Sequence, residues 1–255
     1  MSEERDKTII RSLEKANNIL KHFSKSEPLL SLNDIAQKSG NNKTTILRYC
    51  NTLEKIKFLE KIYIGNTPYY RLGIHLFVIG NQALHAIDLP TRARPYIKKM
   101  VEETNENAYL FIERNNRAYC VDTIKGGHVI NANTTHVGDS YPLIKGAGPL
   151  AILASMERET QNAVLSDLEL TQDEIDKLYA RLEFIYFNEY SISHNETYKG
   201  TVAVGAPVMN HEGDAIGALS LGGIESRFTE DELPKIISVV KSAANKLSKE
   251  LGQEG

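Results

Sequence analysis

Ser31-Leu32-Asn33-Asp34-Ile35-Ala36-Gln37-Lys38-Ser39-Gly40-Asn41-Asn42-Lys43-Thr44-Thr45-Ile46-Leu47-Arg48-Tyr49-Cys50 is the stretch that decides the fold. Ser31 can cap a helix that carries Asp34 in its first turn, three residues on. Leu32, Ile35 and Ala36 give that helix a buried side. Gly40 supplies the residue that ends helices most readily, because it adopts a left-handed backbone without steric cost. Asn42 then caps a second helix running from Lys43 to Ile56, with Ile46, Leu47, Cys50, Leu53 and Ile56 as its expected apolar stripe. The opposite face carries Lys43, Thr44, Thr45, Arg48 and Thr52. Two helices joined by a tight turn, the second opening on short polar and basic side chains, form the pattern of a helix-turn-helix. Such side chains at a helix N-terminus can reach base edges and phosphates in a major groove.

The flanks complete a domain. Upstream, Ile9, Leu13, Ala16, Leu20 and Phe23, with Ile19 beside them, fall on one side of a helix that the stretch to Pro28 breaks. Downstream, residues 58–64 and 69–72 are strand-like runs around Gly65-Asn66-Thr67-Pro68, which predicts a hairpin. Three helices and a hairpin make a winged helix-turn-helix over residues 1–73. A winged helix that only holds a protein partner has the same outline. The exposed cluster of Lys43, Thr44, Thr45 and Arg48 favours double-stranded DNA.

From Ile74 to Leu89 the apolar residues Ile74, Phe77, Val78, Leu84 and Ile87, widened by Leu76 and Ile79, predict an amphipathic helix that Pro90 ends. A helix from Thr91 to Thr104 follows. Beyond it the hydrophobic period becomes that of strands. Residues 108–112 and 118–124 form a hairpin, 129–134 a third strand, and 202–208 and 215–221 a second hairpin, with helices expected at 148–157, 171–186 and from Phe228 to about Leu251. Residues 74–89 are thus a linker, and residues 90–255 an α+β domain with helices over an antiparallel sheet.

Charge divides the same way. Residues 1–80 hold 13 Lys and Arg against 8 Asp and Glu, a net of +5, whereas residues 81–255 hold 17 against 25, a net of −8. A basic first part suits a polyanion, and an acidic second part does not. No window reaches the ~18 consecutive apolar residues of a membrane span, and the charged start, Ser2-Glu3-Glu4-Arg5-Asp6, is no secretory signal. Cys50 and Cys120 stand seventy residues apart, which supports neither a disulfide framework nor a zinc ribbon. The expectation is a cytoplasmic protein.

Several motifs occur together in the order and spacing of IclR-family regulators: Ser12-Leu13-Glu14-Lys15-Ala16, Leu32-Asn33-Asp34-Ile35-Ala36, Lys43-Thr44-Thr45, Leu53-Glu54 and Tyr70-Arg71-Leu72-Gly73. The second half adds residues 137–143, Gly146-Ala147-Gly148-Pro149-Leu150-Ala151, Gly205-Ala206-Pro207-Val208 and Ala218-Leu219-Ser220-Leu221-Gly222-Gly223. The chain resembles that family over about residues 10–250. The resemblance implies Lys43, Thr44, Thr45 and Arg48, with Tyr49 beside them, as DNA contacts. It also implies a dimerising linker, a homodimer or homotetramer, and a GAF-like effector-binding domain. The effector pocket would be formed by Gly146, Ala147, Ser193, Ala203, Ser220 and Gly222. Gly146-Ala147-Gly148 opens a helix, and unpaired N–H groups there favour an anion such as a ligand carboxylate. Ser193, Ala203 and Gly222 stand where the family is usually more polar, which implies a roomier or less polar pocket, open to an aromatic acid or amide.

No P-loop, nucleophile elbow or His-Glu-x-x-His motif is present, and the seven histidines form no cluster with each other or with cysteine. No catalytic residue, metal ligand or cofactor is therefore assigned. The reading is a ligand-responsive repressor or activator that binds a pseudo-palindromic operator. Its rivals are an enzyme with an accessory winged helix and a protein-binding signalling module.

Overall fold

A computed structural model describes residues 10–24, 26–85, 89–129 and 135–252. The chain divides into two compact units, the first reaching Ala86 and the second starting at Ile87.

The first unit is built around the capped helices. Helix α1 (Arg11–Leu20) is followed by a two-residue strand β1 (Leu30–Ser31), α2 (Leu32–Ser39) and α3 (Lys43–Lys55). Then come β2 (Leu59–Ile64) and β3 (Thr67–Leu72), and the unit ends with α4 (Ile74–His85). Ser31 and Asp34 form a reciprocal capping box, the Ser31 Oγ accepting from Asp34 N at 3.2 Å and Asp34 Oδ2 accepting from Ser31 N at 2.8 Å. The Ser31 hydroxyl also donates to Asp34 Oδ2 at 2.7 Å, and this bond, followed by the one from the Ser31 backbone, holds the Asp34 carboxyl below its usual pKa. Gly40 is left-handed at φ 64°, and Asn42 Oδ1 accepts from Thr45 N at 2.8 Å to start α3. Gly65, at φ 60°, closes the hairpin, where a positive φ at the first turn residue matches the twist of the paired strands. Sequence order and sheet order differ, because β1 adds to the outer edge of β3 to give β1-β3-β2.

The core of this unit gathers Ile19, Phe23, Leu30, Ile35, Ile46, Cys50, Leu53, Leu59 and Tyr70. Two expectations fail here. Leu13 is 66% exposed, so α1 buries Ile19, with Phe23 buried just beyond its end, rather than a stripe through Leu13; Ile9 lies outside the described residues. Leu47 is 40% exposed, because the buried positions of α3 are Ile46, Cys50 and Leu53, and at ~100° per residue Leu47 sits on the flank of that stripe. Ile56 follows α3 rather than belonging to it, and it is also exposed.

The second unit is a six-stranded antiparallel sheet, ordered β6-β5-β4-β9-β8-β7, between two layers of helices. Its elements are α5 (Leu89–Thr104), β4 (Asn107–Arg114), β5 (Arg117–Ile124), β6 (Ser140–Pro142), α6 (Ala147–Ala154), α7 (Arg158–Ser166) and α8 (Gln172–Asn188). They continue with β7 (Ser191–His194), β8 (Thr201–Met209), β9 (Ala215–Ile224) and α9 (Leu233–Glu250). Strand alternation assigns the two faces. Ala108, Leu110, Val202, Val204, Leu219 and Leu221 pack with α5 and α9. Tyr109, Phe111, Cys120 and Ala218 pack with α6, α7 and α8.

Pro90 does not end a helix but stands in the first turn of α5, where its missing N–H is no loss. Leu89 accordingly belongs to the core of the second unit. The last helix begins at Leu233, with Pro234 in its first turn, and not at Phe228, which is buried after a 3₁₀ turn over Glu225–Arg227. The expected strand at residues 129–134 lies outside the described residues apart from Val129, which is exposed. Ile87 also lies outside them. Helix α7 and the short strands β1 and β6 were not expected. The Gln161 side chain of α7 donates to the carbonyls of Leu153 and Met156 at 3.1 and 3.0 Å, which satisfies the C-terminal end of α6. Among the described residues no helix is long and apolar enough to cross a membrane.

Candidate functional site

Two sites emerge, one in each unit. In the first, α3 presents Lys43, Thr44 and Arg48 to solvent, with Thr45 half-buried beside them. Neither Lys43 nor Arg48 has an ion-pair partner among the described residues. The cations of the hairpin differ, since Lys61 pairs with Glu54 at 2.9 Å and Arg71 with Glu60 at 2.7 Å. The Lys43 and Arg48 charges on α3 are therefore left to meet a polyanion. Tyr49 is half-buried like Thr45, with part of its ring packed against the core. Leu47 and Asn51, which sequence reasoning left out, lie exposed on the same side as Thr44 and Arg48.

In the second unit, all six residues singled out from the sequence line one cavity of about 520 Å³, counted out to its open mouth. Register explains why. Ser193 pairs with Ala203, and Ala203 with Gly222, across β7, β8 and β9. Two residues along, on the same face, Ser191, Gly205, Ser220 and Tyr109 form a second row. The N-terminus of α6 closes over these rows. A Cβ on Gly205 would stand 2.6 Å from the Ala147 carbonyl carbon, and one on Gly148 would stand 2.5 Å from the Phe111 ring. Gly146 has φ 93°, a conformation that favours glycine.

The wall that sequence reasoning missed is aromatic. Tyr109, Phe111 and Tyr141 line the cavity, with Phe111 6.2 Å from Tyr109 and 6.1 Å from Tyr141 between ring centroids. Burial raises the pKa of both tyrosine hydroxyls, so both stay protonated at neutral pH. Tyr141 shares a hydrogen bond of 3.0 Å with Thr135. Gly222 makes room for the Tyr109 ring, since a Cβ there would meet it at 3.3 Å. The polarity absent at Ala203 and Gly222 is thus supplied from the neighbouring strand by tyrosine. Ser220 Oγ donates to Val204 O at 2.9 Å and keeps its acceptor capacity.

One expectation about the anion end changes. Gly146 N–H is not unpaired. It donates to Glu196 Oε2 at 3.0 Å, and Glu196 Oε1 is held by Arg181 at 2.6 Å. The donors next in line belong to Ala147 and Gly148, which have no partner within the helix. Lys145 stands at the same end of the cavity. Gly223 also lines the cavity, and its missing side chain makes room for the Glu106 carboxylate, which a Cβ there would meet at 2.1 Å. Among the described residues no group of three His, Cys, Asp or Glu side chains could hold a metal ion.

A winged helix with an exposed polar and basic helix face, joined to a domain whose cavity is lined by aromatic and polar side chains, has the outline of a ligand-responsive DNA-binding regulator. The family model for the IclR helix-turn-helix domain matches residues 12–62, and that for the bacterial transcriptional regulator IclR C-terminal domain matches residues 81–249. The chain belongs to the IclR family of bacterial transcriptional regulators, and it is a DNA-binding regulator rather than an enzyme. It is 30% identical to the HTH-type transcriptional regulator KipR of Bacillus subtilis over 97% of this chain and 98% of that one. The Thermotoga maritima IclR crystal structure superposes with a TM-score of 0.75 at 24% identity, covering 96% of this chain and all of that one. An IclR homolog from Microbacterium hydrocarbonoxydans, solved with 4-hydroxybenzoate, gives a TM-score of 0.80 at 19% identity, covering 94% and 98%.

Proposed function

We propose that this regulator acts in the cytoplasm as a homodimer or homotetramer whose paired α3 helices, through Lys43, Thr44, Thr45 and Arg48, read the two half-sites of a pseudo-palindromic operator. A small organic acid, aromatic in its body, occupies the cavity under α6 and changes operator occupancy. In this division of labour residues 1–73 bind DNA, 74–89 link the subunits and 90–255 sense the ligand. The pairing helix is α4, whose Ile74, Phe77, Val78 and Ile79 are all exposed in a single chain. A run of exposed apolar residues on one helix marks an interaction face.

The observation that carries the ligand assignment is the mixed lining of the cavity. Tyr109, Phe111 and Tyr141 line it together with Lys145 and the α6 N-terminus, against which the Phe111 ring packs. An aromatic ring with a carboxylate matches both parts of that lining. The homologue solved with 4-hydroxybenzoate supports this class. A thermal-shift screen of the full chain tests it. At a hundredfold excess over Kd, an aromatic acid that binds the folded state stabilises by about 2.7 kcal/mol. That raises the melting temperature of a domain of this size by on the order of 5 °C. The matched neutral amides should do less. Equal shifts from acid and amide would remove the anion end from the assignment.

A further inference from the structure

Leu47 is the one large apolar side chain on the exposed side of α3. One turn to either side of it stand Thr44 and Asn51, and Arg48 is adjacent. These four form a continuous patch at i, i+3, i+4 and i+7 spacing. The Asn51 amide has no hydrogen-bond partner among the described residues. A leucine there contributes little to the core and carries a solvation cost when the helix is free. In a major groove the surface that accepts an aliphatic side chain is the C5-methyl of thymine. The side-chain amide of asparagine matches the N6 and N7 edge of adenine with two hydrogen bonds.

We infer that Leu47 and Asn51 are specificity-determining residues, Leu47 packing on a thymine methyl and Asn51 pairing with an adenine, so that each half-site carries A·T pairs beside the position read by Arg48. This rests on α3 being the reading helix. Arg48 supplies charge, and Thr44 a hydroxyl and one short methyl. The leucine side chain offers the larger apolar surface to a thymine methyl.

The test uses duplexes selected from a random-sequence library by the full-length chain. Each thymine of the half-site is then replaced, one at a time, by deoxyuridine, which removes only the methyl group. At one position the wild-type chain is expected to lose about fourfold in affinity, the equivalent of one buried methyl group. Leu47→Ala should bind the thymine and uracil duplexes equally at that position, and its melting temperature should match the wild type. Asn51→Ala should lose about tenfold for the preferred adenine and accept other bases there. A half-site without A·T pairs, or a uracil penalty that persists in Leu47→Ala, overturns the inference. Its failure is distinguishable from failure of the reading helix itself. If α3 reads DNA but Leu47 does not, Arg48→Ala still abolishes binding; if α3 is not the reader, Arg48→Ala leaves binding intact.

Discussion

Arg48→Ala is expected to abolish specific operator binding, with a loss of about a hundredfold or more in affinity, while the melting temperature stays unchanged. Arg48 lies on the exposed centre of α3, opposite the buried stripe of Ile46, Cys50 and Leu53. Its guanidinium has no carboxylate partner, so the folded chain loses nothing when it is removed. On DNA the same group can make two hydrogen bonds to guanine or bridge phosphates, worth about 1–3 kcal/mol for each well-formed contact. Two copies on a two-fold operator double that loss. Footprinting of the wild-type chain should protect two half-sites about one helical turn apart. An undiminished footprint from the variant would remove α3 as the reading helix, and a single protected half-site would remove the paired arrangement.

Gly205→Ala should have the largest effect on the sensing unit. The added methyl would stand 2.6 Å from the Ala147 carbonyl carbon and 2.7 Å from both the Ala147 oxygen and the Gly148 nitrogen. All three are backbone atoms at the start of α6. Strand β8 cannot yield either, since it is hydrogen-bonded to β7 on one side and β9 on the other. Ser191 Oγ adds a bond of 2.6 Å to the same Ala147 carbonyl. Relief must come from lifting the α6 N-terminus off the sheet, at a cost of about 3 kcal/mol. The melting temperature should fall by on the order of 10 °C. The variant should also lose most of its response to the aromatic acid, because the lifted turn is one end of the cavity. A wild-type melting temperature with a full ligand response would show that this close approach is not required.

What could be read from the sequence was the part held by local chemistry. The Ser31–Asp34 capping box, the left-handed Gly40 and the Asn42 cap depend on residues within a few positions of one another, and they fix α2, the turn and α3. Alternation along 202–208 and 215–221 fixed the central hairpin of the second unit for the same reason. Leu47 reads as part of the stripe because it adjoins Ile46, while the helix turns it onto the exposed flank. Pro90 reads as a stop because proline both ends and begins helices, and only the burial of Leu89 against the sheet decides between them.

The six pocket residues were reached through family motifs, and register then brings them together. The aromatic wall could not be reached that way. Tyr109 faces Ser220 across more than a hundred residues of chain, and nothing near Tyr109 announces that pairing. The partner of Gly146 N–H is equally remote. Glu196 lies fifty residues on, and its carboxylate already occupies the first donor of the helix N-terminus. A ligand carboxylate must therefore use the donors beyond it or displace Glu196 toward Arg181.

In the proposed function the cavity and the reading helix are coupled. Fluorescence anisotropy of the full-length chain on a labelled operator duplex, with and without the aromatic acid that most raises its melting temperature, measures that coupling. Operator Kd is expected to change by about 5- to 150-fold, the usual span of such couplings, with the same factor appearing in the affinity for the acid when DNA is bound. An operator Kd that is identical at zero and saturating acid would contradict it.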